Sequence, residues 1–203
     1  MLIFFDTETT GLWVKGKPIG SPEQPKIVQI AALLTDDDGV EVMSMNVTVY
    51  QEQPVPEKAS SIHGKTTEFV QKYGINEGTA LTMFEEMLAS AHTVVAHNGE
   101  YDEQVVRNAI TLIDGKNASN PFENKKAYCT MKATTPLCKI PSSRGYKWPK
   151  LTEAYRHLFG QDFDGAHDAL ADVRACKDVY FAVQKIAAAN RAEREAREAA
   201  KAG

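Results

Sequence analysis

The chain opens on Met1-Leu2-Ile3-Phe4-Phe5, a run of large apolar side chains that halts at Asp6. A short apolar run bounded by polar, turn-prone residues reads as a buried strand, and Asp6-Thr7-Glu8-Thr9-Thr10-Gly11 supplies the boundary. A second such run, Thr93 to Ala96, ends at His97-Asn98-Gly99. Two β-rich runs, 27–35 and 40–50, flank Asp36-Asp37-Asp38-Gly39, and an Asp-Gly turn in that setting predicts a hairpin. Leu81, Phe84 and Leu88 keep helical spacing within 79–90, as do Tyr101, Val105, Ala109 and Leu112 within 100–113. Further helices are expected over 151–159 and 168–186. Residues 13–26 carry Gly16, Gly20, Pro18, Pro22 and Pro25 and read as a long loop. Strands alternating with helices predict an α/β sheet, and the hairpin makes it mixed.

At 203 residues, the chain fits one domain. We place it over 1–186, followed by a helical or frayed tail, 187–203, of alanine and alternating charge with almost no apolar face. There is no run of about 18 apolar residues, so no spanning helix is expected. The N-terminus lacks the basic region of a signal peptide. Cys129, Cys138 and Cys176 form no C-x-x-C pair and read as reduced thiols. The expected location is therefore cytoplasmic, with no membrane partner. The formal charge of −4 argues against coating nucleic acid by bulk charge.

Three acidic clusters stand at the ends of elements. Asp6 and Glu8, two apart on a strand, share a face at the carboxyl end of the first strand, the edge that ligands favour in α/β sheets. Two close carboxylates repel unless a cation lies between them or one is protonated; Asp and Thr are also ordinary turn residues. Asp102 follows His97-Asn98-Gly99 into the first turn of a helix, where the dipole alone favours an acid. His167 precedes a helix with Asp172 in its second turn, and Gly165 frees the loop before it. A histidine there suits general-base work. Four carboxylates suit Mg²⁺ or Mn²⁺, and two such ions form a clamp for phosphodiester displacement.

The stretches FFDTETTGL, VVAHNGEYD and GAHDALADV resemble, in order and spacing, the DnaQ-like 3′–5′ exonucleases of the DEDDh type, the superfamily of the epsilon proofreading subunit of bacterial DNA polymerase III and of related bacterial and phage exonucleases. SSIHG (60–64) and KWPKLTEAYRHLFG (147–160) are also similar to family members. The resemblance spans roughly residues 1–185 and implies an RNase H-like fold: a five-stranded mixed sheet flanked by helices. It implies that Asp6, Glu8, Asp102 and Asp172 bind two Mg²⁺ or Mn²⁺ ions and that His167 takes the proton from the attacking water. It places Thr9 near the 3′ end of the terminal nucleotide and Leu12 against its base, with Ile62 and His63 lining the same pocket and Asn98 supporting the site. Leu12 and Ile62 are also compatible with a core position, and His63 with a helix cap. His97 reads as structural and His157 as solvated.

Segment 116–150 holds eight Lys and Arg against the single acid Glu123, leaving the rest of the chain at −11. Tyr128, Tyr146 and Trp148 are interleaved with these charges, a pattern that suits a single strand. Lys125 and Lys126 are the phosphate contacts this reading selects; Trp148 is read either as a stacking residue or as core beside Pro149. The implied substrate is single-stranded DNA or a 3′ DNA end, with RNA ends, as in RNase T and oligoribonuclease, the alternative. A separate polymerase or other replication or repair partner, docked through the tail, is the remaining partner expected.

Overall fold

The computed structural model describes residues 1–202, without the side chains of Lys116 and Ala202; the side chain of Lys116 in the basic segment and Gly203 of the tail thus lie outside the description. Strands β1 (Leu2–Thr9), β2 (Ile27–Thr35) and β3 (Glu41–Thr48) come first, joined by the 13–26 loop and the predicted hairpin. Helices α1 (Glu57–His63), α2 (Thr67–Tyr73) and α3 (Glu77–Ala89) lead to β4 (Thr93–Ala96) and α4 (Gly99–Asp114). The basic segment then forms β5 (Lys126–Cys129), α5 (Thr130–Cys138) and a small hairpin of β6 (Pro141–Ser142) and β7 (Gly145–Tyr146). Helices α6 (Leu151–Phe159) and α7 (Ala169–Ala202) complete the chain.

The sheet runs β3-β2-β1-β4-β5, antiparallel across β1–β2 and β2–β3 and parallel across β1–β4 and β4–β5. This is the expected five-stranded mixed sheet. The alternation of β1 divides two cores. Ile3 and Phe5 face α3 and α4, meeting Phe84, Leu88, Val105 and Ala109. Leu2 and Phe4 face α7, meeting Ala169, Val173 and Cys176. Cover on both faces explains why β2 reads as one buried apolar run interrupted by Gln29. The same alternation continues past Phe4 and Phe5, so Asp6 and Glu8 lie on the α7 face.

Helix α7 runs unbroken through residue 186, and every side chain from Ala187 to Lys201 is exposed. The tail is thus helical, held by its own propensity and by pairs such as Arg194–Glu198 at 3.8 Å. Helix α7 also begins one residue later than expected, which puts Asp172 in its first turn rather than its second. No helix among the described residues is long and apolar enough to cross a membrane.

Candidate active site

The carboxyl ends of β1 and β4 and the amino ends of α4 and α7 meet at one corner of the sheet. Between Glu8 and Thr9 the register with β2 shifts, their partners being Gln29 and Ile27. Such an irregularity re-aims side chains at the end of a strand. Strand β4 stops at Ala96, so the Thr7 amide has no strand to pair with on that side. It donates to Asp102 Oδ1 at 3.1 Å, and the Thr7 hydroxyl donates to the same oxygen at 2.7 Å. Asp102, only 3% exposed, is thereby fixed from the opposite layer beside β1.

Asp172 reaches the corner from α7. One of its oxygens accepts from the His167 amide at 3.2 Å. His167 has φ +71°, a left-handed conformation uncommon outside glycine. Gly165 precedes it at φ +78°, and a Cβ there would lie 3.1 Å from the Ala171 Cβ. The turn therefore needs that glycine twice over, for conformation and for space. Donor atoms of Glu8, His167 and Asp172 all lie within 4.8 Å of one another.

Electrostatics set these acids apart. Burial pushes Asp6 well above the ordinary carboxylate range, and Asp102, Asp172 and Glu8 push it further. Glu8 rises to about 8, through burial and then the charges of Asp172 and Asp102. Burial raises Asp102 against the two Thr7 bonds. Asp172 rises to about 6, chiefly through burial. Asp168, beside them, behaves in the opposite way: burial raises it, but the Gln29 amide and the Lys65 ammonium outweigh that and hold it low. Asp168 is a paired structural acid. The other four are crowded together and, among the described residues, none of them is in a salt bridge with a lysine or arginine; Lys65 pulls Glu8 down too weakly to offset burial and its acidic neighbours, and a hard divalent cation supplies the missing counter-charge. The donor set therefore fits a divalent metal.

Gln29 is the residue the sequence reading missed. It is 2% exposed, and it donates from Nε2 to Asp168 Oδ2 at 3.0 Å and to Asn46 Oδ1 at 2.7 Å, while Oε1 accepts from the Ala169 amide at 3.4 Å. Lys65 approaches the same Asp168 oxygen at 3.4 Å. Together they clamp the residue that follows His167. A lone amide inside an apolar strand was the available signal, since buried polar groups need partners. Tyr101, on the same stripe of α4 as Val105 and Ala109, also does more than pack. Its hydroxyl donates to the Gly11 carbonyl at 2.6 Å and lies 2.6 Å from the Thr9 hydroxyl, holding the bend after β1.

The corner opens into a cleft of about 830 Å³ lined by Glu8, Thr9, Leu12, Ile62, His63, Asn98, His167 and Asp172, among others. Leu12 is 83% exposed and Ile62 54%, so neither belongs to the core. His63 lines the cleft with both ring nitrogens committed. Nδ1 accepts from the Lys65 amide at 3.0 Å, which leaves Nε2–H to donate to the Thr9 carbonyl at 3.3 Å. Burial keeps this imidazole below its ordinary pKa. Asn98 lies on the cleft wall in a left-handed conformation at the start of α4.

His97 and His157 fit their readings as structural and solvated. His97 bridges the Thr130 hydroxyl at 2.9 Å and the Pro149 carbonyl at 3.0 Å, and His157 is exposed. Trp148 is 63% exposed, which removes the core reading. Lys125 and Lys126 need correction. Lys126 is level with Thr93 and Leu2, at the end of the sheet away from Asp6 and Glu8. Four residues of strand at about 3.3 Å each separate that level from Asp6. Lys125 donates to the Ala89 and Ala91 carbonyls at 3.2 and 2.7 Å, closing the end of α3. These two lysines are structural or remote from the cleft, and the aromatic-basic pattern does not reach the site through them.

Comparison with known proteins places this corner in a family. The chain is 31% identical over 193 residues to the uncharacterized exonuclease CP81 of Escherichia phage 186, covering 92% of this chain and 90% of that one. It is 34% identical over 125 residues to a DNA polymerase III subunit epsilon-like protein of Rhodobacter capsulatus, covering 59% of this chain but 16% of the relative. The fold matches E. coli exonuclease I, solved in complex with a dT13 oligonucleotide, with a TM-score of 0.67 at 19% identity. That match covers 90% of this chain and 40% of the exonuclease I chain. Residues 3–180, which hold every acidic group of the corner, match the RNase T exonuclease family model, and the chain belongs to that family, within the DnaQ-like exonucleases.

Proposed function

We propose that this exonuclease removes nucleotides one at a time from the 3′ end of single-stranded DNA, releasing nucleoside 5′-monophosphates. The observation that carries the reading is the meeting of Glu8, His167 and Asp172 within 4.8 Å, in a cleft whose wall also offers two exposed aliphatic side chains, Leu12 and Ile62. The dT13 complex of the structurally similar E. coli exonuclease I supports the choice of substrate.

Asp6, Glu8, Asp102 and Asp172 would hold two ions, Mg²⁺ or Mn²⁺. Bound there, the ions would supply Lewis acidity for the displacement at phosphorus. The chain's own residues do the rest. His167, exposed on its strained turn, accepts the proton of the attacking water. The Asp172 carboxylate holds the His167 backbone, which fixes where that imidazole stands. Leu12 and Ile62 cover the faces of the terminal base without reading its edges, which suits a sequence-tolerant enzyme. Thr9, braced by Tyr101, stands at the mouth toward the terminal sugar. The carboxylates also repel phosphate when uncompensated, so divalent ions should be needed for productive binding as well as for chemistry.

The test compares the parent with Asp6→Ala and His167→Ala on a labelled 12-nucleotide single strand, with Mg²⁺ and with EDTA. The proposal requires digestion by the parent in Mg²⁺ alone, a loss of at least about 10²-fold in His167→Ala, the lower end of what acid–base catalysis contributes, and a loss at least as large in Asp6→Ala, which removes a metal ligand. Undiminished digestion by both variants would remove the assigned roles. A matched RNA strand in parallel reports sugar preference.

A further inference from the structure

If the cleft takes the end of a strand, as proposed above, the rest of that strand must leave along a neighbouring surface. Strand β7 (Gly145–Tyr146) runs on into 147–150, which form no helix or turn, and exposure alternates from Tyr146 to Lys150. Tyr146, Trp148 and Lys150 are exposed, while Lys147 is half-buried and Pro149 is buried. The inward residues are anchored. Lys147 Nζ donates to Glu153 at 2.7 Å, its amide donates to the Ile140 carbonyl at 2.9 Å, and the Pro149 carbonyl meets His97 Nε2 at 3.0 Å. The outward residues therefore stand on an anchored backbone, two residues apart along the chain. The last of them, Lys150, lines the cleft.

Tyr146 and Trp148 are two large aromatic side chains, 53% and 63% exposed, two residues apart on an anchored segment that leads into the cleft. The charge around them says what they fit. From residue 124 to residue 152 the chain carries no acid, and Arg144 lies exposed at the tip of the β6–β7 hairpin. Lys147 is paired with Glu153, but Arg144 is in no salt bridge among the described residues and Lys150 is exposed at the cleft; aromatic faces in series beside such cations fit a polyanion that presents flat rings.

We propose that Tyr146 and Trp148 form a stacking platform for the bases upstream of the scissile end of single-stranded DNA, with Lys150 and Arg144 meeting its phosphates. This rests on the exonuclease reading above for the direction in which the strand enters. The platform engages unstacked bases, so paired DNA gains nothing from it. It acts on strands long enough to leave the cleft and does not touch the reacting end.

The experiment measures binding and turnover separately. In a His167→Ala background with Mg²⁺, fluorescein-labelled dT12 is titrated against Tyr146→Ala, Trp148→Ala and Trp148→Phe. Loss of a stacked base weakens binding about 5- to 150-fold, so each alanine variant should fall in that range. Trp148→Phe should recover most of the loss, and a blunt 12-base-pair duplex should be indifferent to all three. With His167 intact, the alanine variants should raise KM on dT12 and leave kcat and KM on dT3 unchanged. Equal dT12 affinity in parent and variants would overturn the platform, as would an equal loss on dT3 and dT12 or no binding of dT12 by the parent. Failure of the exonuclease reading is distinct: dT12 is then bound through Trp148 but not shortened.

Discussion

Replacing Glu8 by glutamine should stabilise the metal-free protein while abolishing its activity. Glu8 is lifted from 4.5 to about 8, mainly by burial and by the charges of Asp172 and Asp102. The sign follows from proton linkage. Above pH 4.5 the unfolded chain releases this proton and the folded chain keeps it, so stability falls as pH climbs from about 4.5 to about 8. At about 1.4 kcal/mol per tenfold in proton affinity, the ceiling at pH 8 is roughly 4–5 kcal/mol. Water entry and side-chain relaxation reduce it to about 1–3 kcal/mol. For a domain of this size each kcal/mol moves Tm by about 2–4 °C. In EDTA at pH 8, Glu8→Gln should therefore melt about 3–10 °C above the parent, and the difference should close near pH 4.5. Excess Mg²⁺ should reverse the order, because the ion stabilises the parent by mass action and finds a poorer site in the variant. Thermal melts followed by circular dichroism at the two pH values, with EDTA and with Mg²⁺, read all four cells. A glutamine variant that melts below the parent in EDTA at pH 8 would refute the reasoning. So would a difference that is the same at both pH values.

Three further outcomes follow from the geometry. Gln29→Ala should lower kcat about tenfold or more with KM nearly unchanged, because it frees Asp168 and with it His167; melts should show a loss of about 1–3 kcal/mol for the unsatisfied partners. Lys125→Ala should cost about 1 kcal/mol of stability by uncapping α3, while the salt slope of DNA binding stays that of the parent. Truncation after Ile186 removes side chains that are exposed from Ala187 to Lys201; steady-state kinetics on dT12 should match the full chain, with Tm changed by less than about 4 °C.

The parts of the fold legible in the sequence are those with strong local signals. The runs at β1 and β4 are short, apolar and sharply bounded, and the Asp-Gly turn fixed the β2–β3 hairpin. Strand β5 was hidden because Lys-Ala-Tyr-Cys is four residues long, opens on a charge and lies at the sheet edge, where one side is free. Helices α1 and α2 span seven residues each, two turns, too few to display a 3.6-residue period. Helix α5 was masked by Pro136 within it. The carboxylates and His167 were readable as motifs. Their setting was not, because Gln29 and Lys65 reach Asp168 from 139 and 103 residues away. Counting charge alone sent Lys125 to a phosphate, when its ammonium closes a helix end. The basic segment is one stretch of chain but touches both ends of the sheet, and only its last part meets the cleft.

The most direct test of the account is a time course on one single-stranded 12-mer carrying its label at either the 5′ or the 3′ end, with Mg²⁺. Stepwise removal from the 3′ end predicts a ladder shortening one nucleotide at a time from the 5′-labelled strand, while the 3′ label appears at once as a mononucleotide and never as a ladder. A ladder from the 3′-labelled strand, or internal fragments from both, would contradict it.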